Sequence, residues 1–253
     1  MATDATAVYV YGIVPADVEP EPGTTGVGDP PGSVAVVRHG QIAALISTLE
    51  SDRPLGTPDD LTIHAELLDG SATVAPVLPL RFGAVMSDTG AVENELLEAN
   101  EAEFRAALEE LEGRAQFVIR GRYVEDTILR ELLDENAEAA RLREEIRDKS
   151  EDATRNARLA LGELINQAIE TKRAEDTRTV ISELDTLEPL VNQREPSNEL
   201  DAVNVAVLVE LARRQELEET LRGLAEEWDG RVELNLLGPM AAYDFVTKPR
   251  PAG

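Results

Sequence analysis

The side chains in this chain that could do chemistry are fifty carboxylates and two histidines, His39 and His64; there is no cysteine. The missing thiols exclude disulfides, thiolate catalysis, cysteine-ligated zinc and iron–sulfur clusters. Two histidines are too few for a histidine-built metal site. With fifty acids in 253 residues some pair always falls close, so carboxylate catalysis has no specific signature; only a strongly shifted carboxylate in a cleft would support it. Gly23-Thr-Thr-Gly26-Val-Gly28 looks like a phosphate cradle, but it lacks a lysine, runs into Pro30-Pro31 and opens no helix. His39 reads as a turn residue. His64 lies on or beside the apolar stripe of a helix, where a satisfied, partly buried imidazole is expected. The expectation is a chain with no catalytic residue, metal or cofactor.

The residue that stands out by context is Arg81, the one charge in Val77-Leu78-Pro79-Leu80-Arg81-Phe82-Gly83. Pro79 cannot donate a ladder hydrogen bond, so the segment reads as a buried or half-buried extended crossover between two helical segments. Burying a guanidinium requires carboxylate or carbonyl partners. Arg81 is then either a structural arginine tying two layers together or a contact residue for a partner.

The net charge of −26 is spread along the chain, with only Lys149, Lys172 and Lys248 against 21 arginines. Nucleic acid and anionic membranes need positive charge at the contact and are poor partners. A distributed acid excess of this kind suits a salt-rich cytoplasm, where screening suppresses self-repulsion. A halophilic protein that loosens in low salt is expected. Met1–Ala7 lacks the basic and apolar regions of a signal peptide. No window reaches the roughly 20 apolar residues of a membrane span, so a soluble cytoplasmic protein is expected.

The elements that must position these residues follow from the pattern. Val8–Val14 is β-branched or aromatic and apolar on both faces, a central strand. Pro15–Ser33 is a long Pro/Gly loop. Ser33–Arg38 and Gln41–Ser47 form a hairpin about His39-Gly40. Thr57-Pro58-Asp59-Asp60 caps a helix ending near Gly70. Ser87–Glu112 reads as one long amphipathic helix, with Leu97, Phe104, Leu108 and Leu111 on one face. Ala115–Tyr123 alternates as a half-exposed strand. Glu125–Leu187 is a long helical region, broken near Asp148–Asp152. Its Ala153, Ala157, Ala160, Leu161, Leu164, Ile165 and Ala168 form a small-residue stripe suited to helix packing. Leu190–Arg194, Val203–Leu211 and Arg231–Leu236 read as strands, with a helix over Gln215–Trp228.

The fold class is therefore α+β in two domains, 1–112 and 113–253. The second is a modified ferredoxin-like (split βαβ) sheet with an extended helical insertion over 125–187. Fold alone assigns no function. Only nine aromatics occur, and five of them fall in Val8–Val14, Val77–Gly83 and the terminal Leu237–Val246. These three segments either fill one core or form a contact patch on a polyanionic surface.

The same segments resemble the gas vesicle protein GvpF/GvpL family. Tyr9-Val-Tyr11-Gly12-Ile13-Val14 looks like its opening strand, and Val77–Gly83 like its proline-leucine-arginine-phenylalanine-glycine signature. Gly238-Pro239…Tyr243-Asp-Phe245 is similar to its terminal motif. Met240-Ala241-Ala242 stands where many members carry tryptophan and two prolines, which leaves the F-like or L-like branch open. The helical region and overall length lean slightly to the L-like side. The resemblance implies two α+β domains, no enzymatic activity and an accessory or minor structural role in gas vesicle assembly. It implies contact with the shell protein GvpA and other accessory Gvp proteins. Arg81, Phe82, Tyr243 and Phe245 of the motif segments are the expected partner contacts, with Ala157, Leu161 and Leu164 of the helical stripe. A ferredoxin-like regulatory or small-molecule binding module is the alternative.

Overall fold

The computed structural model of the chain describes residues 7–49 and 55–246. Residues 1–6 of the expected leaderless N-terminal stretch lie outside them. The apolar run at the start forms β1 (Ala7–Pro15), the centre of the first sheet. On one side it pairs antiparallel with β3 (Ile42–Leu49), which continues the hairpin from β2 (Val34–His39). On the other side it pairs with two short strands, β4 (Leu78–Pro79) and β5 (Val85–Met86). Pro79 thus sits in a two-residue edge strand, where its missing N–H leaves no gap in a central ladder.

The β1–β3 register slips between Val10 and Gly12, a bulge at Tyr11. A strand's faces alternate with period two, so one extra residue inverts the sequence that follows. Val8, Val10 and Ile13 pack into one core, and Tyr9, Tyr11 and Val14 into the other. Parity alone would have put Ile13 with the tyrosines. Gly12 follows the bulge because a Cβ there would lie 2.6 Å from the Leu78 carbonyl oxygen.

α1 (Pro58–Ala72) starts where its cap requires: Thr57 accepts from the Asp60 N–H, and the Asp60 carboxylate accepts from the Thr57 N–H. Such a cap is worth about 1 kcal/mol. The expected single helix after Ser87 begins instead as α2 (Thr89–Ala91), widens into a π-helical stretch over Val92–Glu98 and continues as α3 (Ala99–Leu111). Its predicted face holds: Leu97, Phe104, Leu108 and Leu111 are buried.

The second sheet contains β6 (Arg114–Tyr123), β7 (Leu190–Gln193), β8 (Asp201–Glu210) and β9 (Val232–Met240), in the spatial order β7-β8-β6-β9. That is the strand order of a split βαβ unit. The crossover from β6 to β7 is lengthened into α4 (Glu125–Glu135), α5 (Ala137–Ile146) and α6 (Glu151–Glu183), and α7 (Arg214–Glu227) joins β8 to β9. β6 departs from the half-exposed reading: only Arg120 and Arg122 are exposed, while Gln116 is fully buried. Its amide can be buried because it donates to the Asp244 carboxylate (2.5 Å) and accepts from the Asp244 N–H (3.0 Å). The helical region also breaks earlier than expected. Asn136 stops α4 and caps α5, accepting from the N–H groups of Glu138 and Ala139.

Two compact units result: Met1–Phe117 with Leu208–Ala212 and Gly238–Gly253, and Val118–Val207 with Arg213–Leu237. Each is discontinuous in sequence, where the pattern had suggested a single cut after residue 112.

Candidate partner-binding site

The three motif segments meet in the first unit. The Tyr9 and Tyr11 rings stand 4.8 Å apart between centroids, with the imidazole of His64 from α1 stacked on Tyr11 at 5.8 Å. Phe82 closes the nest at 5.8 Å from Tyr9 and 5.5 Å from His64. Buried phenols need partners, and both have them. The Tyr11 hydroxyl pairs with Ser47 Oγ at 2.8 Å and accepts from the Val27 N–H. The Tyr9 hydroxyl accepts from the Gly83 N–H (3.1 Å) and meets His64 Nδ1 at 2.9 Å. Across the ring, His64 Nε2 meets the Tyr243 hydroxyl at 3.0 Å.

One proton arrangement satisfies this chain of bonds. Gly83 occupies an acceptor site on the Tyr9 hydroxyl, which therefore donates to Nδ1, and Nε2–H donates to Tyr243. Burial pushes Tyr9 up to about 12 and raises Tyr243 further, so both stay phenols. Burial also lowers His64, against an opposing contribution from the Leu80 backbone, so its neutral form is favoured. With each of these groups held in a fixed bond, the cluster positions backbone and offers no free base or nucleophile. Asp60 supports the other end of α1. Burial opposes its charge, but donors from Thr57, Gly28 and Gly56 outweigh that and hold it at about 2.

The terminal residues Ala241–Val246 lie across the same junction. Ala241 joins the tyrosine core, while Ala242, Phe245 and Val246 join the opposite one. The Ala241 N–H donates to Asp69 at 2.9 Å. Gly238 precedes them at φ +125°, with room for nothing larger: a Cβ would come within 2.8 Å of the Gln116 carbonyl oxygen.

Arg81 is exposed, and among the described residues it has no hydrogen bond or ion pair. The reading of Arg81 as a tie between layers is corrected: backbone does that work. Leu80 N–H donates to the Tyr11 carbonyl and Val10 N–H to that of Ala84, which leaves the side chain outside. The first unit also exposes Leu61 (49%), Val85 (44%) and Tyr243 (39%). Phe82 and Phe245 are half-buried against the two cores.

Ala157, Leu161 and Leu164 sit in the second unit, half-buried along α6. Leu164 lines a shallow groove of about 430 Å³ with Leu132, Glu135, Ala168, Thr171 and Glu175. Sequence reasoning missed the ionic cluster beside it. Arg231 reaches Asp176 (2.9 Å) and Glu131 (2.8 Å), and Lys172 reaches Glu131 and Glu135, both at 2.8 Å. The Arg231 guanidinium also lies 5.7 Å from the Tyr123 ring centroid and 5.8 Å from that of Trp228. Lysine scarcity was the available signal, since Lys172 is one of three.

The model of the gas vesicle synthesis protein GvpL/GvpF family matches residues 7–247. Gas vesicle protein F of Streptomyces sp. (strain CB03234) is 29% identical over 242 residues, covering 95% of this chain and 99% of that protein. Gas vesicle protein F of Nostoc sp. (strain PCC 7120 / SAG 25.82 / UTEX 2576) is 22% identical over 248 residues, at 96% and 98% coverage. The crystal structure of GvpF from Anabaena sp. PCC7120 superposes with a TM-score of 0.78 at 22% identity, covering 95% of this chain and 98% of that one. GvpF from Microcystis aeruginosa does so with a TM-score of 0.75 at 19% identity, at 94% and 98%. Because F proteins match over nearly their full lengths, chain length and the long helical region do not favour the L-like branch.

Proposed function

The chain belongs to the gas vesicle synthesis protein GvpL/GvpF family, and on that premise we propose that it is a non-enzymatic accessory protein that holds the small hydrophobic shell protein GvpA, together with other accessory Gvp proteins, during gas vesicle assembly. It works in the cytoplasm and in contact with gas vesicles. Among the described residues no helix is long and apolar enough to cross a membrane.

The observation that carries this reading is the unpaired, exposed Arg81 in a strongly acidic chain, with exposed Leu61, Val85 and Tyr243 in the same unit. A mixed cationic and apolar patch on an acidic body suits capture of a sticky subunit while the remaining surface keeps the complex soluble. Half-buried Phe82 and Phe245 support it from beneath. The row of Ala157, Leu161 and Leu164 with its groove offers a second contact, into which an apolar helix of the partner would pack. The test is co-purification with GvpA in molar KCl, comparing the full chain with Arg81→Glu and with Leu161→Glu/Leu164→Glu. Capture by the wild type and its loss in either variant assigns the contact; no capture by the wild type overturns the proposal.

The alternative, a ferredoxin-like regulatory or small-molecule module, has the β7-β8-β6-β9 strand order in its favour. Its clefts of about 200 and 350 Å³ beside Arg173 are small and lined mainly by polar side chains, and they supply little of the apolar surface that most ligand pockets use.

A further inference from the structure

His64 is the one titratable group that the first unit uses as a two-sided connector. Nδ1 faces β1 through Tyr9, and Nε2 faces the terminal residues Ala241–Val246 through Tyr243. Those residues are otherwise held by the Asp69–Ala241 bond, the Gln116–Asp244 pair and burial of Ala241 and Ala242. The bond arrangement works only while the imidazole is neutral. A second ring proton would turn Nδ1 from acceptor to donor. The Tyr9 hydroxyl already accepts from Gly83, so its own proton would then have no acceptor among the described residues, at a buried position.

The surroundings do not neutralise the added charge. β1 presents the Tyr9 and Tyr11 phenols, residues 80–82 present the Leu80 backbone and the Phe82 ring, and the terminal segment presents Tyr243. Arg81 in that stretch is exposed and cationic. The nearby acids are committed elsewhere: Asp60 to its four donors, Asp69 to Ala241 N–H and Asp244 to Gln116. Among the described residues no carboxylate forms an ion pair with the imidazole, whereas His39 lies 3.9 Å from Glu93 and 3.8 Å from Glu101.

We propose that His64 is a proton-operated latch: neutral, it holds residues 241–246 across the junction, and protonated, it releases them and uncovers the apolar faces beneath Ala241, Ala242 and Phe245. The latch needs no particular partner and stands or falls apart from GvpA binding. It would give access to the junction a dependence on mild acid.

The test is hydrogen exchange of the full chain in molar KCl between about pH 7.5 and pH 5, corrected for intrinsic exchange, alongside nuclear magnetic resonance titration of the two histidines. The expected result is that protection of 241–246 falls on the order of tenfold, the change in equilibrium for one unit of pKa difference. Its midpoint should coincide with His64, while β3 keeps its protection. His64→Gln, which keeps a donor and an acceptor without titrating, should hold the segment at constant protection. Unchanged protection in the wild type, a midpoint that follows His39 or neither histidine, or the same loss in His64→Gln overturns the latch. Should His64→Gln not fold, the coincidence of midpoints in the wild type decides alone.

Discussion

The first unit fixes its buried polar groups with neutral partners, Tyr9, His64 and Tyr243 in line and Tyr11 with Ser47. The second fixes its own with ions, Arg231 between Asp176 and Glu131 and Lys172 between Glu131 and Glu135. The neutral network carries no charge for salt to screen and is vulnerable to a single proton. The ionic network is robust to protons over a wide range. Burial opposes the charges of Arg231 and Lys172, but their carboxylate partners outweigh it and raise both. Burial likewise opposes ionisation of Glu131, and its two cations outweigh it. Two units in one chain therefore depend on different solution variables.

The harshest way to break the comparison is Arg231→Leu. It leaves Asp176 and Glu131 facing each other without their shared cation, with Arg231 and Glu131 only 22% exposed at their side chains. A loss of about 3 kcal/mol is expected in urea unfolding at fixed salt. Tyr9→Phe should cost less, about 1–2 kcal/mol by the same measurement, since it strands the Gly83 N–H and one face of His64. Tyr243→Phe removes one half-exposed bond and should cost about 1 kcal/mol or less, while increasing exchange at 241–246. Arg81→Ala should be nearly silent, within about 0.5 kcal/mol; a larger loss would show that Arg81 has a structural partner after all.

Acid separates the networks in order. The folded-state pKa of His64 lies below its ordinary 6.5, so the unfolded chain takes up the proton first and stability falls as pH drops through that range. Glu131 is held below its ordinary 4.5. Its contribution is present above that value and lost only as pH falls through the lowered one. Signals from the first unit should therefore change before the Trp228 fluorescence of the second. A simultaneous change would remove the distinction. Salt acts on the chain as a whole. With a charge of −26, helical circular dichroism should decline as ionic strength drops below about 0.1 M, where the screening length exceeds about 10 Å.

The elements were legible wherever local chemistry decides. Thr57-Pro58-Asp59-Asp60 announced α1, and the alternation of Val203–Leu211 announced β8. What could not be read depended on partners far along the chain. Gln116 looks like a surface residue until Asp244 is beside it. The bulge at Tyr11 has no mark in a run that is apolar on both faces. The break at Asn136 was hidden by strong helix formers on either side, although asparagine is a good cap. For the candidate site, the motif segments pointed to a common junction, and the burial of His64 was expected. The outward turn of Arg81 was not, because it follows from backbone pairing with β1 and not from side-chain type.

The bond between His64 and Tyr243 spans 179 positions, so the first unit stays open until nearly the whole chain has left the ribosome. Its β-sheet can assemble early, but the junction is closed by residues made last. Translation therefore sets a natural checkpoint: a chain stopped before residue 241 would present an unfinished docking surface, and only a fully synthesised molecule could take part in building a larger assembly.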